Sequence, residues 1–173
     1  MIIGRRSLMA LFALLLLYTS VGLSGPTAKS ALKEATAVAK KWKHDAVLVS
    51  LASLVVKNDG SAPSWLHTFY SSSAKKSLIV TAKGKALEEL EVDRSAFTQP
   101  VSGDFLDSDK AMSEAKKHGL KGSSPSMGLN VMGTGASATL CWSVNGGFDK
   151  GDVSITLNGR TGAFIKRDVM AGF

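Results

Sequence analysis

The chain has 173 residues, of which 45% are hydrophobic and 20% are charged, and its formal net charge is +7. This composition excludes wholesale disorder, and the length suits one compact domain. The single cysteine excludes an internal disulfide, so the hydrophobic core must hold the fold together.

The first 24 residues have the three-part layout of a secretory signal peptide. Arg5 and Arg6 carry positive charge, residues 8–23 form a nearly unbroken apolar run, and Gly22-Leu23-Ser24 offers small residues for cleavage. A membrane-spanning helix needs about 20 apolar residues, so we expect cleavage, with a retained anchor as the alternative. No cysteine lies near the cleavage region, which excludes a bacterial lipoprotein anchor. We therefore expect an exported protein, periplasmic or extracellular, that begins near Gly25 with a net charge of +5.

Residues 30–93 are predicted to form a first α+β unit. Apolar residues recur at spacings of three and four over residues 30–43, which indicates a helix with one apolar stripe. Short apolar or alternating segments follow, bounded by Ser, Gly, Lys or Pro, as in a meander of antiparallel strands. We predict these strands at residues 47–56, 65–70, 77–81 and 87–93.

The pattern then begins again after a linker. Residues 94–106 contain a proline and a glycine and are predicted to be that linker, and residues 107–168 are predicted to form a second α+β unit. Asp107 or Ser108 can cap a helix that ends at His118. We predict its strands at residues 127–132, 138–144, 152–157 and 163–167.

The two halves repeat the same order of elements, a helix followed by about four strands, at an offset of 76 to 77 positions that places Trp65 on Trp142. One helix with a few strands has a thin core, so two such units should pack together. We therefore predict an α+β fold in which two helix-plus-antiparallel-sheet units form one body. The candidate core residues are Trp42, Trp65, Trp142, Leu51, Val144, Ile155 and Ile165.

The second half also carries a short family signature. An alanine-spaced helix at residues 111–117 precedes a central strand at Cys141-Trp142-Ser143-Val144, and residues 153–157 lead through Asn158 to Thr161-Gly162 and a last strand. This half resembles a PepSY-type domain, although that family more usually has an aspartate in place of Asn158. The first half lacks the Thr-Gly pair and shares the resemblance only as a tandem copy. The resemblance implies PepSY/cystatin-like halves in an envelope or secreted module, often linked to protease regulation, without catalytic apparatus or obligatory cofactor.

The sequence offers no recognisable catalytic or metal-binding constellation. His44, His67 and His118 do not have the spacing of metal ligands, and no serine lies in a Gly-x-Ser-x-Gly motif. His67 alternates with aromatic residues on one predicted strand face, which favours a packed histidine. Cys141 lies between apolar neighbours, which fits a small buried residue better than a reactive thiol. We therefore predict no catalytic residue, no metal ligand and no cofactor.

Two lysine pairs are the candidate binding residues. Lys40 and Lys41 fall near the end of the first predicted helix, and Lys116 and Lys117 near the end of the second. Lysines there complement the helix dipole, which explains them without a function. The alternative is a basic face that meets anionic envelope components. Because export separates the protein from nucleic acid, we do not expect nucleic acid as a partner.

From these observations we expect an exported, non-enzymatic binding or regulatory module whose partner is a protein or peptide, with a protease as one such partner. One alternative is a small envelope hydrolase or isomerase with a cleft between sheet and helices. The other is a basic surface that binds anionic envelope components. The sequence leaves the identity of the partner and the oligomeric state open.

Overall fold

A computed structural model describes residues 25–93 and 96–172, so the predicted signal peptide at residues 1–24 lies outside the described residues. Within the described part the chain forms two α-helices and eight β-strands. The helices are α1 (Leu32–Trp42) and α2 (Ser108–Lys117). The strands are β1 (Val47–Ser53), β2 (Trp65–Ser71), β3 (Lys76–Lys83), β4 (Ala86–Val92), β5 (Ser126–Met132), β6 (Thr139–Asn145), β7 (Val153–Asn158) and β8 (Phe164–Val169).

The predicted fold of two helix-plus-sheet units is wrong, because the strands form one continuous sheet. All eight pair in the order β4-β3-β2-β1-β5-β6-β7-β8, and the fold is dominated by this antiparallel sheet with only two short helices. β1 and β5 join the halves, with Leu51 opposite Leu129. An unpaired strand leaves a row of unsatisfied backbone groups, and pairing β1 with β5 removes two such edges at once. Local periodicity predicts strands but contains no information about this distant pairing.

Both helices cover the same face of the sheet. Buried residues alternate along β2, so one face of this strand points into the core. The residues directly opposite them in the neighbouring strands, among them Leu51 and Leu129, lie on the same face of the sheet from β3 to β7. Ala35 and Ala39 of α1 pack with the apolar side chains of β2 and β3, and three residues of α2 pack with those of β6 and β7. The α2 residues are Ala111, Met112 and Ala115.

Most of the predicted core residues are buried in this layer. Trp65, Trp142, Leu51, Val144 and Ile155 are 0–1% exposed. Trp42 is only partly buried, and its indole N–H donates to Glu91 Oε2 at 2.7 Å.

Ile165 was wrongly predicted to be in the core, since 45% of it is exposed. It lies on β8, the last strand of the sheet, where the pairing register shifts between Thr156 and Leu157 and leaves Ile165 without an opposite residue. As the end strand of the sheet, β8 pairs with β7 on one side alone. An apolar residue is therefore not sufficient to place a strand in the interior.

Two tryptophans fix the chain segments that lead into the helices. The indole N–H of Trp65 donates to Pro26 O at 3.0 Å, and that of Trp142 donates to Leu106 O at 2.9 Å. The two rings meet edge to face, with centroids 6.2 Å apart. A buried indole needs a partner for its N–H, so each tryptophan is both core and anchor for the segment before a helix.

Asp107 ties the starts of the two helices together. Its Oδ1 accepts from the backbone N–H of Ser108 at 2.8 Å and from that of Lys29 at 3.1 Å, and its Oδ2 accepts from Thr27 Oγ1 at 2.7 Å. The Ser108 hydroxyl in turn accepts from the N–H of Ala28 at 3.1 Å. The predicted cap of α2 therefore also orders the segment that precedes α1.

Replacing Asp107 with Ala should lower the free energy of unfolding by about 2 kcal/mol, because the change removes a helix cap and leaves partly buried donors without an acceptor. Asp109→Ala is the matched control, since it removes a carboxylate from the first turn of the same helix and should cost less than about 1 kcal/mol. Urea unfolding measures both. Equal losses would contradict a joining role for Asp107.

Candidate functional site

The four predicted lysines are exposed at the C-terminal ends of the two helices. Lys40 and Lys41 lie in the last turn of α1, and Lys116 and Lys117 in the last turn of α2. Three of the ammonium groups have partners from nearby loops or from their own helix. Lys40 Nζ donates to His44 O at 3.0 Å, Lys116 Nζ to Asn58 O at 2.6 Å and Lys117 Nζ to Glu114 Oε1 at 2.7 Å.

The two lysine pairs belong to different halves of the sheet. α1 packs on β2 and β3, whereas α2 packs on β6 and β7. Four strand spacings separate the helices, which at about 4.8 Å each is about 20 Å. The screening length is about 10 Å at 0.1 M salt, so the two pairs form separate basic patches. Binding of these patches to anionic surfaces stays a prediction.

His67 is packed in the core, as the alternation of its strand predicted. It is fully buried, and its Nε2 lies 3.1 Å from Ala28 O. A carbonyl can only accept, so Nε2 carries the proton in this contact. Burial is the main cause that lowers the pKa of His67, and the hydrogen bond to Ala28 opposes it. The imidazole is fully buried, so its ring is not exposed to solvent in any open cleft.

The described residues hold no group of three or more His, Cys, Asp or Glu side chains that could bind a metal ion. Cys141 is buried on β6, and burial raises the pKa of its thiol. A groove with a volume of about 220 Å³ lies between the start of α1 and the β3–β4 turn. It is lined by Ser30, Ala31, Glu34, Gly84, Lys85 and Leu87.

The outer edges of the sheet are the feature that sequence reasoning did not locate. β4 and β8 end the sheet, and all six residues of β8 are exposed. Phe164, Ile165 and Val169 are 45%, 45% and 55% exposed, and Phe164 stacks on the ring of His118 at 4.6 Å. Exposed apolar residues on a free strand edge form a template for another strand. The sequence carried a signal for these edges, because the last predicted strand of each half has no later strand of that half to pair with.

The two edges carry opposite charges. β4 contains Glu88, Glu89 and Glu91, whereas β8 contains Lys166 and Arg167 together with one aspartate. Glu91 accepts from Lys76 Nζ at 2.7 Å and from the indole of Trp42. The bond from Lys76 is the main cause that lowers the pKa of Glu91.

The backbone of β8 has donors that point away from the sheet. The N–H of Met170 donates to Asp152 O at 2.8 Å. Residues in an antiparallel ladder alternate between inward and outward hydrogen bonding. Asp168 therefore also points its N–H toward β7, while Arg167 and Val169 point theirs outward, where an added strand could bind.

Among the described residues, no helix is both long enough and apolar enough to cross a membrane. No protein-family model matches the chain, and no curated protein matches it. Among solved structures, the chain is similar to a "putative lipoprotein" from Clostridium difficile 630. The TM-score is 0.54 at 14% sequence identity, covering 79% of this chain and 91% of the other. This likeness shows a shared fold.

Acid should destabilise the protein through His67. Its pKa is lowered in the folded state from the ordinary value of 6.5, so below pH 6.5 the unfolded chain binds a proton that the folded chain does not. Stability should therefore fall as the pH drops from 6.5 toward the folded-state pKa. Chemical unfolding at pH 7.5, 6 and 5 measures this loss. His67→Gln keeps a side-chain donor but cannot titrate, so its stability should fall less over the same range, and parallel curves would exclude His67 as the cause.

The basic patches predict weak, salt-sensitive binding to anionic surfaces. Co-sedimentation with anionic lipid vesicles should decrease when Lys40, Lys41, Lys116 and Lys117 are all replaced by Glu. Because the patches are separate, each pair replaced alone should retain part of the binding. Binding that survives high salt or all four changes would show that the lysines only solubilise the surface.

Proposed function

We propose that this protein is an exported, non-enzymatic binding module that takes an extended peptide segment of a partner protein as an added strand on β8. The observation that carries the proposal is an edge strand exposed at every position, with three exposed apolar side chains. In strand addition the main chain supplies affinity and alternate side chains supply specificity. The outward N–H groups of Arg167 and Val169 supply the donors.

Export is supported by the layout of the first 24 residues and by the printed name of the structural neighbour, a putative lipoprotein. The mature protein is then periplasmic or extracellular. Lipid attachment does not carry over from that name, because the only cysteine is Cys141, which is buried on β6.

The side chains of β8 indicate the chemistry of the peptide. Lys166 and Arg167 favour acidic residues, while Phe164, Ile165 and Val169 favour apolar ones. The partner segment is therefore extended and mixes acidic with apolar residues. The PepSY resemblance adds a class of partner, since such domains are often linked to protease regulation, and we propose a protease on that ground.

A proline at position 169 should block the peptide without unfolding the protein. Val169→Pro removes an outward N–H and no bond to β7, a position where edge strands tolerate proline. The probe is an acetylated, amidated octapeptide of alternating Glu and Val, titrated by calorimetry. Val169→Pro should weaken binding by about tenfold, as expected for the loss of one or two hydrogen bonds.

Two controls separate main-chain from side-chain effects. Val169→Ala keeps the N–H and should bind within about threefold of the wild type, because it loses only a partly exposed side chain. The same octapeptide with an N-methyl group on every residue should not bind, because neither of its edges then has donors, whereas one of alternating Lys and Val should bind more weakly. Equal binding of Val169→Pro and wild type would overturn strand addition on β8.

The class of partner needs a separate measurement. Purified wild type and Val169→Pro, immobilised in parallel, are exposed to an envelope extract treated with an active-site probe for proteases. The proposal expects a labelled protease that the wild type retains and the proline variant does not. Retention of no labelled protease by the wild type would remove proteases as the partner class.

A further inference from the structure

The acidic and basic edges lie at opposite ends of one sheet. At one end β4 exposes Glu88 and Glu89, and at the other end β8 exposes Lys166 and Arg167. Charged residues on an edge strand normally prevent pairing with another copy. Here that protection is selective, because two β4 edges repel one another and two β8 edges do likewise, whereas β4 and β8 attract.

The direction of the strands also suits pairing between these two edges. Neighbouring strands are antiparallel throughout the eight-stranded order, so β4 and β8 run in opposite directions. A second copy added at the end of the sheet, and rotated to follow its twist, would therefore place its β4 antiparallel to β8 of the first. The helices of both copies would then lie on the same face.

The side chains agree with this arrangement on both faces. Register through the sheet puts Arg167 on the helix-covered face, which is also the face of Glu89 and Glu91. Lys166 lies on the open face, as Glu88 does. Opposite charges on the same face of neighbouring strands stabilise their pairing.

We propose that copies of this protein associate head to tail, with β8 of one copy added to β4 of the next. The inference goes beyond peptide binding and does not depend on it, since the occupant of β8 is here a strand of the protein itself. Such a contact joins two different surfaces, so it leaves a free edge at each end and extends into short chains rather than a closed dimer.

The existing ion pairs at these edges do not oppose the pairing of β8 with β4 of another copy. Lys83 contacts Glu88 at 2.8 Å and Lys166 contacts Asp168 at 2.8 Å, with all four side chains more than half exposed. Exposed ion pairs contribute little to stability, so these groups can turn to a partner of opposite charge in another copy.

Sedimentation velocity of the protein secreted by an expression host tests the proposal. The wild type should form species larger than a monomer as its concentration rises to about 1 mM at low salt, because a small interface gives weak association. High salt should reverse this association. A wild type that stays monomeric under all these conditions would overturn the proposal.

Charge reversal gives a sharper test because it predicts behaviour on mixing. The Glu88→Lys, Glu89→Lys variant has two basic edges, and the Lys166→Glu, Arg167→Glu variant has two acidic edges. Each alone should be monomeric, and an equimolar mixture should associate. A variant that associates alone as the wild type does would show that the contact lies elsewhere.

Proline variants determine the stoichiometry without a change of charge at β8. Residues 83 and 86 flank a two-residue hairpin turn, so alternation points the N–H of Glu89 outward. Glu89→Pro blocks β4, Val169→Pro blocks β8, and circular dichroism checks that each is folded. Their mixture should stop at a 1:1 dimer, and larger species would contradict pairing between these edges. These samples contain no peptide, and the octapeptide titration is made on dilute protein. If the copies do not associate, the result for peptide binding therefore still stands on its own.

Discussion

The pairing of β1 with β5 is the constraint on which the rest of the structure depends. It joins two four-stranded halves into one sheet and places Leu51 beside Leu129 in the core. Because this pair fixes the register of both halves, the apolar faces of all central strands point the same way. Both helices must then cover that one face, and β4 and β8 become the outer edges. The exposed edges, which carry the functional proposals, are thus a consequence of the central pairing.

The segments before the helices reinforce the connection between the two halves from the other side of the core. Trp65 and Trp142 come from different halves, contact one another edge to face, and each holds the segment before a helix by an indole hydrogen bond. Asp107 connects the same two segments to each other. A change at this junction would therefore affect both halves, which is the behaviour of one cooperative unit.

The local elements could be predicted from the sequence because their causes are local. Spacings of three and four placed a helix over residues 30–43, where α1 runs from Leu32 to Trp42. Alternation along β2 predicted the packed position of His67. Strand order could not be predicted, because it depends on which edges meet after residues far apart in the chain come together. Without the strand order, Ile165 was placed in the core, and the sequence left open which strands form the two edges.

The alignment of the two halves shows a similar limit. Leu51 and Leu129 occupy equivalent positions in the two halves. His67 lies directly opposite Leu51, and Trp142 lies directly opposite Leu129, so His67 and Trp142 are equivalent residues. The sequence offset paired Trp142 with Trp65 instead, because matching large aromatic residues is a stronger signal than matching strand register. One half thus fills the central position with an indole and the other with a buried imidazole, so the halves share a frame but have different chemistry.

The difference in chemistry between the halves is also what gives the edges opposite charges. If the last strands of the two halves were alike, both edges would have one sign and copies of the protein would repel one another edge to edge. The acidic residues of β4 and the basic residues of β8 replace that repulsion with attraction for one combination alone. An acidic, apolar peptide and β4 of another copy then present the same chemistry to β8. Self-association would compete with peptide binding, and the protein concentration would determine how many β8 edges are free.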